Sequence, residues 1–337
     1  MKLILAISVL CVASLAVEAA SNETNNFCYF ESWTVYRPGN GTFDVEDIDT
    51  SLCTHIAFAF LGINQNGKLK ILDPWESNPD GLNGFERFVN LTSQNSSLKV
   101  LASLSGWNEG SGNYSKVVAN PTKRALLVNT TLDFLGTYGF DGLDFSWTYP
   151  SREDSNNPDD NPNFVLMLQE LKTAFEPHGY LLSAAVNSAK KNIDVSYNVS
   201  SISAILDFIN VMAFDFHGSF DNYVGHHTLL YSSEVDALYN NSDWNIICET
   251  YPDAEDIWND VQNVPHLVIG DQWIGYDNEK SIGIKVDYAL EKSLGGFMVW
   301  SFDTDDFTGN CGKGTYPLIN SIHSNLKTRG YKMKTNK

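Results

Sequence analysis

Apolar runs rich in β-branched and aromatic residues alternate with amphipathic segments along most of the chain. These runs predict β-strands at residues 27–31, 55–61, 99–104, 142–147, 181–185, 208–214 and 295–301. Between them, apolar residues spaced three and four apart predict helices, for example at 122–138 and 163–176. Alternating strands and helices in a chain of 337 residues indicate an α/β fold, a (β/α)8 TIM barrel, whose sites lie at the carboxyl ends of the strands.

The first 20 residues follow a different pattern. Lys2 precedes an apolar stretch at 3–17, and Ala20 offers a small residue at a cleavage point, which together predict a secretory signal peptide over 1–20. No later stretch approaches 18 uncharged apolar residues, so a membrane span is not expected. Residues 21–337 contain no repeat or low-complexity tract, and we expect them to form one domain of a secreted, extracellular protein.

Cysteines and glycosylation sequons fit a secretory route. Of five cysteines, Cys11 lies in the predicted signal peptide, which leaves Cys28, Cys53, Cys248 and Cys311. An even number in an oxidising compartment predicts two disulfides, and spacing alone leaves three pairings open. Sequons for N-glycosylation start at Asn22, Asn40, Asn90, Asn95, Asn113, Asn129, Asn198 and Asn240.

Charge and histidine placement exclude several classes of partner. The net charge of −19 argues against nucleic acid and anionic membranes, which require a positive surface. A neutral ligand such as a sugar polymer is indifferent to this charge. His217 and the pair His226 and His227 have no cysteine or carboxylate at ligand spacing, so the sequence predicts no metal site and no cofactor.

The most specific motif is the segment at residues 140–150, Phe-Asp-Gly-Leu-Asp-Phe-Ser-Trp-Thr-Tyr-Pro. It resembles the signature of family 18 glycoside hydrolases, the chitinases, which reads DG-x-D-x-D-x-E followed by Tyr-Pro. Asp141 and Asp144 match the signature, whereas Ser146 stands where the family has its central Asp and Thr148 where it has the catalytic Glu. Further matches in family order lie at residues 28–33, 53–60, 103–108, 182–186, 212–218 and 295–300.

The resemblance implies a catalytic mechanism that this chain lacks the groups to perform. In the family, the Glu protonates the glycosidic oxygen and the substrate's own acetamido oxygen attacks the anomeric carbon, oriented by the central Asp and a Tyr. Thr148 has no pKa near working pH, Ser146 supplies no negative charge, and Phe214 replaces the Tyr. We therefore expect no catalytic residue.

Other carboxylates are not expected to replace the missing acid. Glu31, Glu109 and Asp215, the last of which matches a family Asp, are expected around the pocket mouth, away from the scissile oxygen. Asp141 and Asp144 are expected to be hydrogen-bonding residues that support the end of the strand.

Binding is a separate expectation, because aromatic faces suit the apolar faces of pyranose rings. The resemblance implies a sugar-binding cleft lined by Tyr29, Trp33, Phe58, Trp107, Asn108, Met212, Asp215, Phe220, Met298 and Trp300. It also implies disulfides between Cys28 and Cys53 and between Cys248 and Cys311.

One part of the family pattern is missing. Only 80 positions separate Asp215 from Gly295, although the family has there a seventh strand ending in Tyr-Gly-Arg and a small α+β insertion. A βα unit needs about 30 residues or more. The barrel is therefore expected to be truncated around the seventh strand, with 238–275 a remnant of the insertion. Either the barrel has seven strands and is imperfectly closed, or an exon is missing from the coding sequence.

These features predict a secreted, N-glycosylated chitinase-like protein that binds chitin or N-acetylglucosamine oligosaccharides without hydrolysing them, and that is a monomer. One alternative is a growth-factor-like or immune signalling protein that uses its surface to bind a cell-surface receptor, as inactive relatives such as imaginal disc growth factors are reported to do. Two others are a chitinase with weak residual activity and a decayed copy with no function.

Overall fold

The computed structural model describes residues 22–218, 225–231, 256–270 and 272–336. Its main element is a parallel sheet that curves into a barrel. In the described residues, the sheet contains β1 (Glu23–Glu31), β2 (His55–Ile63), β4 (Lys99–Ser105), β5 (Gly142–Ser146), β6 (Leu181–Asn187), β7 (Phe208–Met212) and β11 (Gly296–Val299). These strands pair in parallel in the order β11-β1-β2-β4-β5-β6-β7, which confirms the predicted barrel.

Helices connect consecutive strands and cover the outside of the barrel. They are α1 (Gly84–Val89), α2 (Gly112–Val118), α3 (Pro121–Tyr138), α4 (Asp160–Phe175), α5 (Lys190–Ser196), α6 (Val199–Ser203), α7 (Glu279–Glu291) and α8 (Pro317–Thr328). The largest apolar core lies between this layer and the outer face of the sheet, where Phe58, Phe85 and Phe164 are fully buried.

Local sequence explains where these elements begin and end. Helix α3 starts at Pro121, whose fixed φ suits the first turn, and the Asn120 side chain accepts hydrogen bonds from the next two amides. It ends at Gly139, which adopts the left-handed conformation that favours glycine. Strand β1 begins four residues before the prediction because Glu23 and Thr24 pair with β12 (Lys332–Met333) near the carboxyl terminus.

The barrel wall is weakest between β7 and β11. In the part of the chain that the structure describes, these two strands have no backbone pairing with each other. Strand β5 is buried along its whole length, whereas β7 is half-exposed and Val211 keeps 48% of its surface accessible. This weak point lies where the sequence predicts a missing seventh βα unit, and residues 219–224 and 232–255 of that stretch lie outside the described residues.

A smaller antiparallel sheet follows the weak point along the chain. It consists of β8 (Ile257–Asn259), β9 (Val264–Ile269) and β10 (Gln272–Gly275), in the order β10-β9-β8. It occupies the described part of the predicted remnant at 238–275, whereas residues 238–255 and 271 lie outside the described residues. The remaining short strand, β3 (Leu69–Ile71), pairs antiparallel with β2.

The structure contains the first predicted disulfide, between Cys28 and Cys53, with 6.1 Å between their Cα atoms. It joins β1 to the residues just before β2. Cys311 is also disulfide-bonded. Cys248, its predicted partner, lies outside the described residues, as do the predicted signal peptide and Asn240.

Candidate functional site

A cavity of about 610 Å³ lies at the carboxyl ends of the barrel strands. This is where parallel (β/α) barrels place their sites. Most of the residues predicted to bind sugar line it, namely Tyr29, Trp33, Phe58, Trp107, Asn108, Met212, Asp215, Met298 and Trp300. Phe58 only borders the cavity, because its ring is buried against Phe30, Phe85 and Phe88 on the helix side of β2. Phe220 lies outside the described residues.

Trp300 forms the centre of an aromatic floor. Its ring stacks on Phe60 at 5.6 Å between centroids and on Phe214 at 6.4 Å. Tyr29 packs at a tilt from the barrel interior, 5.2 Å away, and Trp33 contacts both Phe60 and Trp300 at the rim. One continuous aromatic surface thus comes from the ends of β1 and β2 and from the residues that follow β7 and β11.

Trp107 forms the opposite rim, and 63% of its surface is exposed. The Arg152 guanidinium lies over its ring at 4.4 Å and also donates to the carbonyl of Thr148 at 2.9 Å. Asp154 pairs with Arg152 at 2.7 Å and neutralises its charge. The indole is therefore held in place by a cation on one side, while a large part of its surface remains accessible to a ligand.

Asp144 lies beneath the floor, fully buried. Its carboxylate accepts hydrogen bonds from Tyr29 Oη at 2.9 Å, Ser103 Oγ at 2.8 Å and Ser183 Oγ at 2.7 Å, with Asn210 Nδ2 at 3.4 Å. Burial raises the pKa of Asp144, and the four hydrogen bonds act in the opposite direction. Burial and the neighbouring Asp144 likewise raise the pKa of Tyr29.

Ser146 and Thr148 lie further along the same side of the chain and border the cavity. Both are buried, with 3% and 5% of their surfaces exposed. Thr148 Oγ1 has no hydrogen-bond partner among the described residues. Trp147, on the opposite side, is buried and donates from Nε1 to Ser111 at 2.8 Å. The strand therefore alternates as predicted, with hydroxyl groups towards the cavity.

Asp141 is not part of the cavity lining in the described part of the chain. It lies just before β5, where it pairs with Lys99 Nζ at 2.9 Å and accepts from the Val100 amide at 2.9 Å. These bonds connect β4 to the start of β5 at the opposite end of the barrel. Their location makes Asp141 a residue of the scaffold.

Asp215 follows β7 and lines the cavity with the adjacent Phe214. Burial of its carboxyl group raises the pKa of Asp215. The other two carboxylates that were expected around the pocket mouth occupy different positions. Glu109 lines the cavity, whereas Glu31 pairs with Arg37 at 2.9 Å beside it.

Sequence reasoning missed several residues of the site. Phe60, Tyr36 and Asn187 line the cavity, as do Asp73 and Glu76 from the turn after β3. The polar residues around Asp144 had a detectable signal, because Ser103, Ser183 and Asn210 are isolated polar positions in otherwise apolar strands. Asp73 and Glu76 had no such signal, since they lie in a polar loop.

The described ranges also bear on metal binding and on membrane spanning. No three His, Cys, Asp or Glu side chains in these ranges come together at a spacing that would hold a metal ion. No helix there is both long and apolar enough to cross a membrane.

The comparisons with known proteins agree with this geometry. The sequence profile of "Glycosyl hydrolases family 18" matches residues 25–255 and 244–305. The chain belongs to glycosyl hydrolase family 18. It is 34% identical to "Probable chitinase 2" of Drosophila melanogaster, over 84% of this chain and 72% of that protein.

Solved structures of family 18 proteins superpose on most of the chain. The group IV chitinase of Ostrinia furnacalis matches with a TM-score of 0.85 and 32% identity, over 90% of this chain and 100% of the chitinase chain. Human YKL-39, titled a pseudo-chitinase with retained chitooligosaccharide binding properties, matches with a TM-score of 0.80 and 29% identity, over 90% and 100% of the two chains. The similar structures thus include both chitinases and a pseudo-chitinase, so membership of family 18 does not by itself determine whether this chain is active.

Proposed function

We propose that this family 18 protein is a secreted lectin-like chitinase homologue that binds chitin or N-acetylglucosamine oligosaccharides and does not hydrolyse them. One observation carries the proposal. The cavity combines an accessible aromatic floor with a buried threonine, Thr148, at the position that matches the catalytic acid of the family signature.

The aromatic residues support the binding half of the proposal. Trp300 offers an indole as a flat floor, and the exposed rings of Trp33 and Trp107 extend it on either side. Pyranose rings present apolar C–H faces that pack well on such surfaces, and rigid aromatic side chains lose little conformational freedom on binding. The related YKL-39 carries chitooligosaccharide binding in its title while being called a pseudo-chitinase.

The absence of hydrolysis follows from the chemistry of the groups at the end of β5. The Thr148 hydroxyl has no protonation equilibrium near neutral pH, so it cannot deliver a proton to a leaving oxygen. Ser146 cannot orient an acetamido group by negative charge, and Phe214 has no hydroxyl to hydrogen-bond it. General acid catalysis alone contributes about 10²- to 10⁴-fold, so its loss together with both orienting groups removes measurable turnover.

Secretion remains part of the proposal. A disulfide between Cys28 and Cys53 is typical of an oxidising compartment. Five sequon asparagines are exposed, namely Asn22, Asn40, Asn90, Asn129 and Asn198, whereas Asn95 and Asn113 are half-buried. Expression in a eukaryotic secretory system followed by glycosidase treatment of the medium tests this: a mass decrease is expected, and retention of unglycosylated protein in the cell would contradict it.

Restoring the family residues tests the catalytic half. The triple variant Ser146→Asp, Thr148→Glu, Phe214→Tyr is expected to release the fluorophore from a chitotriose reporter, while the wild-type protein releases none above buffer. The double variant Ser146→Asp, Phe214→Tyr, which keeps Thr148, is the matched control and should stay inactive. Turnover by the wild-type protein would refute the proposal. A folded but inactive triple variant would show that the weak barrel wall between β7 and β11 is also limiting.

A further inference from the structure

One end of the cavity is acidic, and sugar stacking does not account for it. We call Asp73, Glu76 and Glu109 the acidic end. Asp73 and Glu76 come from the turn after β3, and Glu109 follows β4. The Glu109 carboxylate and the Leu72 side chain meet over Gly62, where an added Cβ would lie 2.4 Å from Glu109 Oε2. The three carboxylates thus border the same side of the cavity, next to the β2–β3 hairpin.

The charge of the whole cavity has one sign. Among the described residues that line it, Asp73, Glu76, Glu109 and Asp215 are acidic and none is Lys, Arg or His. The nearest cation on the opposite rim, Arg152, is already paired with Asp154. A cavity that serves only neutral acetylated sugars needs no such bias, whereas a cationic ligand is attracted by it.

Glu76 is the residue that points most clearly to a ligand. It is 5% exposed and borders the cavity, yet its carboxylate has no hydrogen bond or ion pair among the described residues. Space for it exists because residue 84 is glycine, where an added Cβ would lie 1.7 Å from Glu76 Oε2. Asp73, by contrast, accepts a hydrogen bond from Tyr36 Oη at 2.6 Å.

The electrostatic surroundings of Glu76 disfavour its ionised form. Burial, then Asp73 and Asp44, raise the pKa of Glu76 to about 8, and Arg87 acts in the opposite direction. Arg87 is engaged elsewhere, since it pairs with Asp44 at 2.8 Å and with Glu46. Without a ligand the carboxyl group is therefore mostly protonated at neutral pH, and a cationic donor that binds beside it stabilises the ionised form and displaces the proton.

We propose that the acidic end is a subsite for the free amino group of a glucosamine unit, and that the preferred ligand is therefore a partly deacetylated chitin oligosaccharide. This subsite rests on the proposed function and defines the class of ligand that the cavity prefers. An ammonium group has three donors, which suit the unpartnered carboxylate of Glu76. Asp73, whose two oxygens already accept from Tyr36 Oη and from the Trp75 amide, adds negative charge beside it. An N-acetyl group is bulkier, uncharged and has a single N–H donor.

The test compares two tetrasaccharides by calorimetry at low and physiological salt: fully acetylated chitotetraose, and a tetramer that contains glucosamine. The wild-type protein is expected to bind the glucosamine tetramer about tenfold more tightly, the ratio for one charge-assisted hydrogen bond. Glu76→Gln should remove this preference, because it weakens binding of the glucosamine tetramer more than binding of chitotetraose. Glu86→Gln, an exposed carboxylate on α1, is the matched control and should keep the preference.

The outcomes separate the two claims. Equal affinity of the wild-type protein for both tetramers overturns the subsite and leaves the proposed function standing. An equal loss of affinity for both tetramers in Glu76→Gln assigns Glu76 a structural role and also overturns the subsite. If only the glucosamine tetramer binds, the subsite stands and the binding of acetylated chitin fails; if neither binds, both fail. Thermal unfolding of each variant controls for misfolding. Asp73→Asn, a milder substitution than Glu76→Gln at the acidic end, is a second control.

Discussion

Asp144 shows how far single residues can be predicted. The signature assigns it to β5, and alternation along the strand places it on the same side as Ser146 and Thr148. Ser103, Ser183 and Asn210 stand out as polar positions in apolar strands, but their hydrogen bonds to Asp144 were not predictable, because they lie on three other strands whose register only the folded sheet determines. The acidic residues after β3 were also missed, since nothing in a polar loop indicates that one carboxylate is buried.

Trp107 allows binding to be tested at a residue that contributes little to folding. Because it is 63% exposed, Trp107→Ala is expected to lower the affinity for chitooligosaccharides about tenfold, with a change in unfolding free energy of about 0.5 kcal/mol or less. Trp75 is 55% exposed and does not line the cavity in the described residues, so Trp75→Ala is the control. Fluorescence titration measures the affinity of both variants for chitooligosaccharides. Equal effects of the two substitutions on this affinity would exclude a role for the Trp107 rim.

His55 makes stability depend on pH. It is 1% exposed, near Phe27 and Phe208, and burial, followed by Lys334 and Lys99, lowers its pKa to about 4. The folded protein therefore favours neutral His55, so its contribution to stability is complete above the unfolded pKa near 6.5 and is lost progressively as pH falls from there towards 4.

The expected loss from His55 between pH 7 and pH 5 is about 2 kcal/mol of unfolding free energy. Urea denaturation of the wild-type protein and His55→Gln measures it, since the variant should lose about 2 kcal/mol less over this interval. His178→Gln, at an exposed position, should behave as the wild-type protein does. If the unfolding free energies of the wild-type protein and His55→Gln depend on pH in the same way, the pH dependence does not come from His55.

At the scale of elements, the barrel strands and the long helix α3 were predictable, whereas the strands of the small antiparallel sheet were not. Strand β5 begins at the predicted residue, and α3 begins one residue before its prediction. Strand β5 contains the most specific motif of the chain, and α3 is long enough for its apolar period to be recognised. Strands β8, β9 and β10 are three to six residues long and have neither signal, so the sequence did not reveal them.

The pairing of β11 with β1 joins the last barrel strand to the first, and two neighbouring glycines test how closely they pack. An added Cβ at Gly296 would lie 2.2 Å from the carbonyl oxygen of Asn25, a backbone atom that cannot move aside, whereas at Gly295 it meets nothing within 4 Å. Gly296→Ala is expected to cost about 1–3 kcal/mol of unfolding free energy and Gly295→Ala about 0.5 kcal/mol or less. Chemical denaturation measures both; equal costs would show that β1 and β11 are not packed this closely.

At the scale of the whole molecule, the sequence was sufficient to predict the barrel because several separate motifs follow one another in family order. The composition was less informative about the ligand. A net charge of −19 excludes polyanions, but only the folded cavity shows that four carboxylates line it without a cation among its described lining residues. The aromatic cavity supports the proposed sugar binding, and Ser146, Thr148 and Phe214, in place of two carboxylates and a tyrosine of the family pattern, support the proposed absence of hydrolysis.

The central claim is binding without hydrolysis, and one titration followed by product analysis tests it most directly. Chitotetraose is titrated into the glycosylated, disulfide-bonded protein in a calorimeter, and the cell contents are separated by chromatography after a long incubation. We predict saturable heat and recovery of intact tetramer alone. Release of chitobiose at a rate above the protein-free control, or no binding at millimolar chitotetraose, would contradict the account.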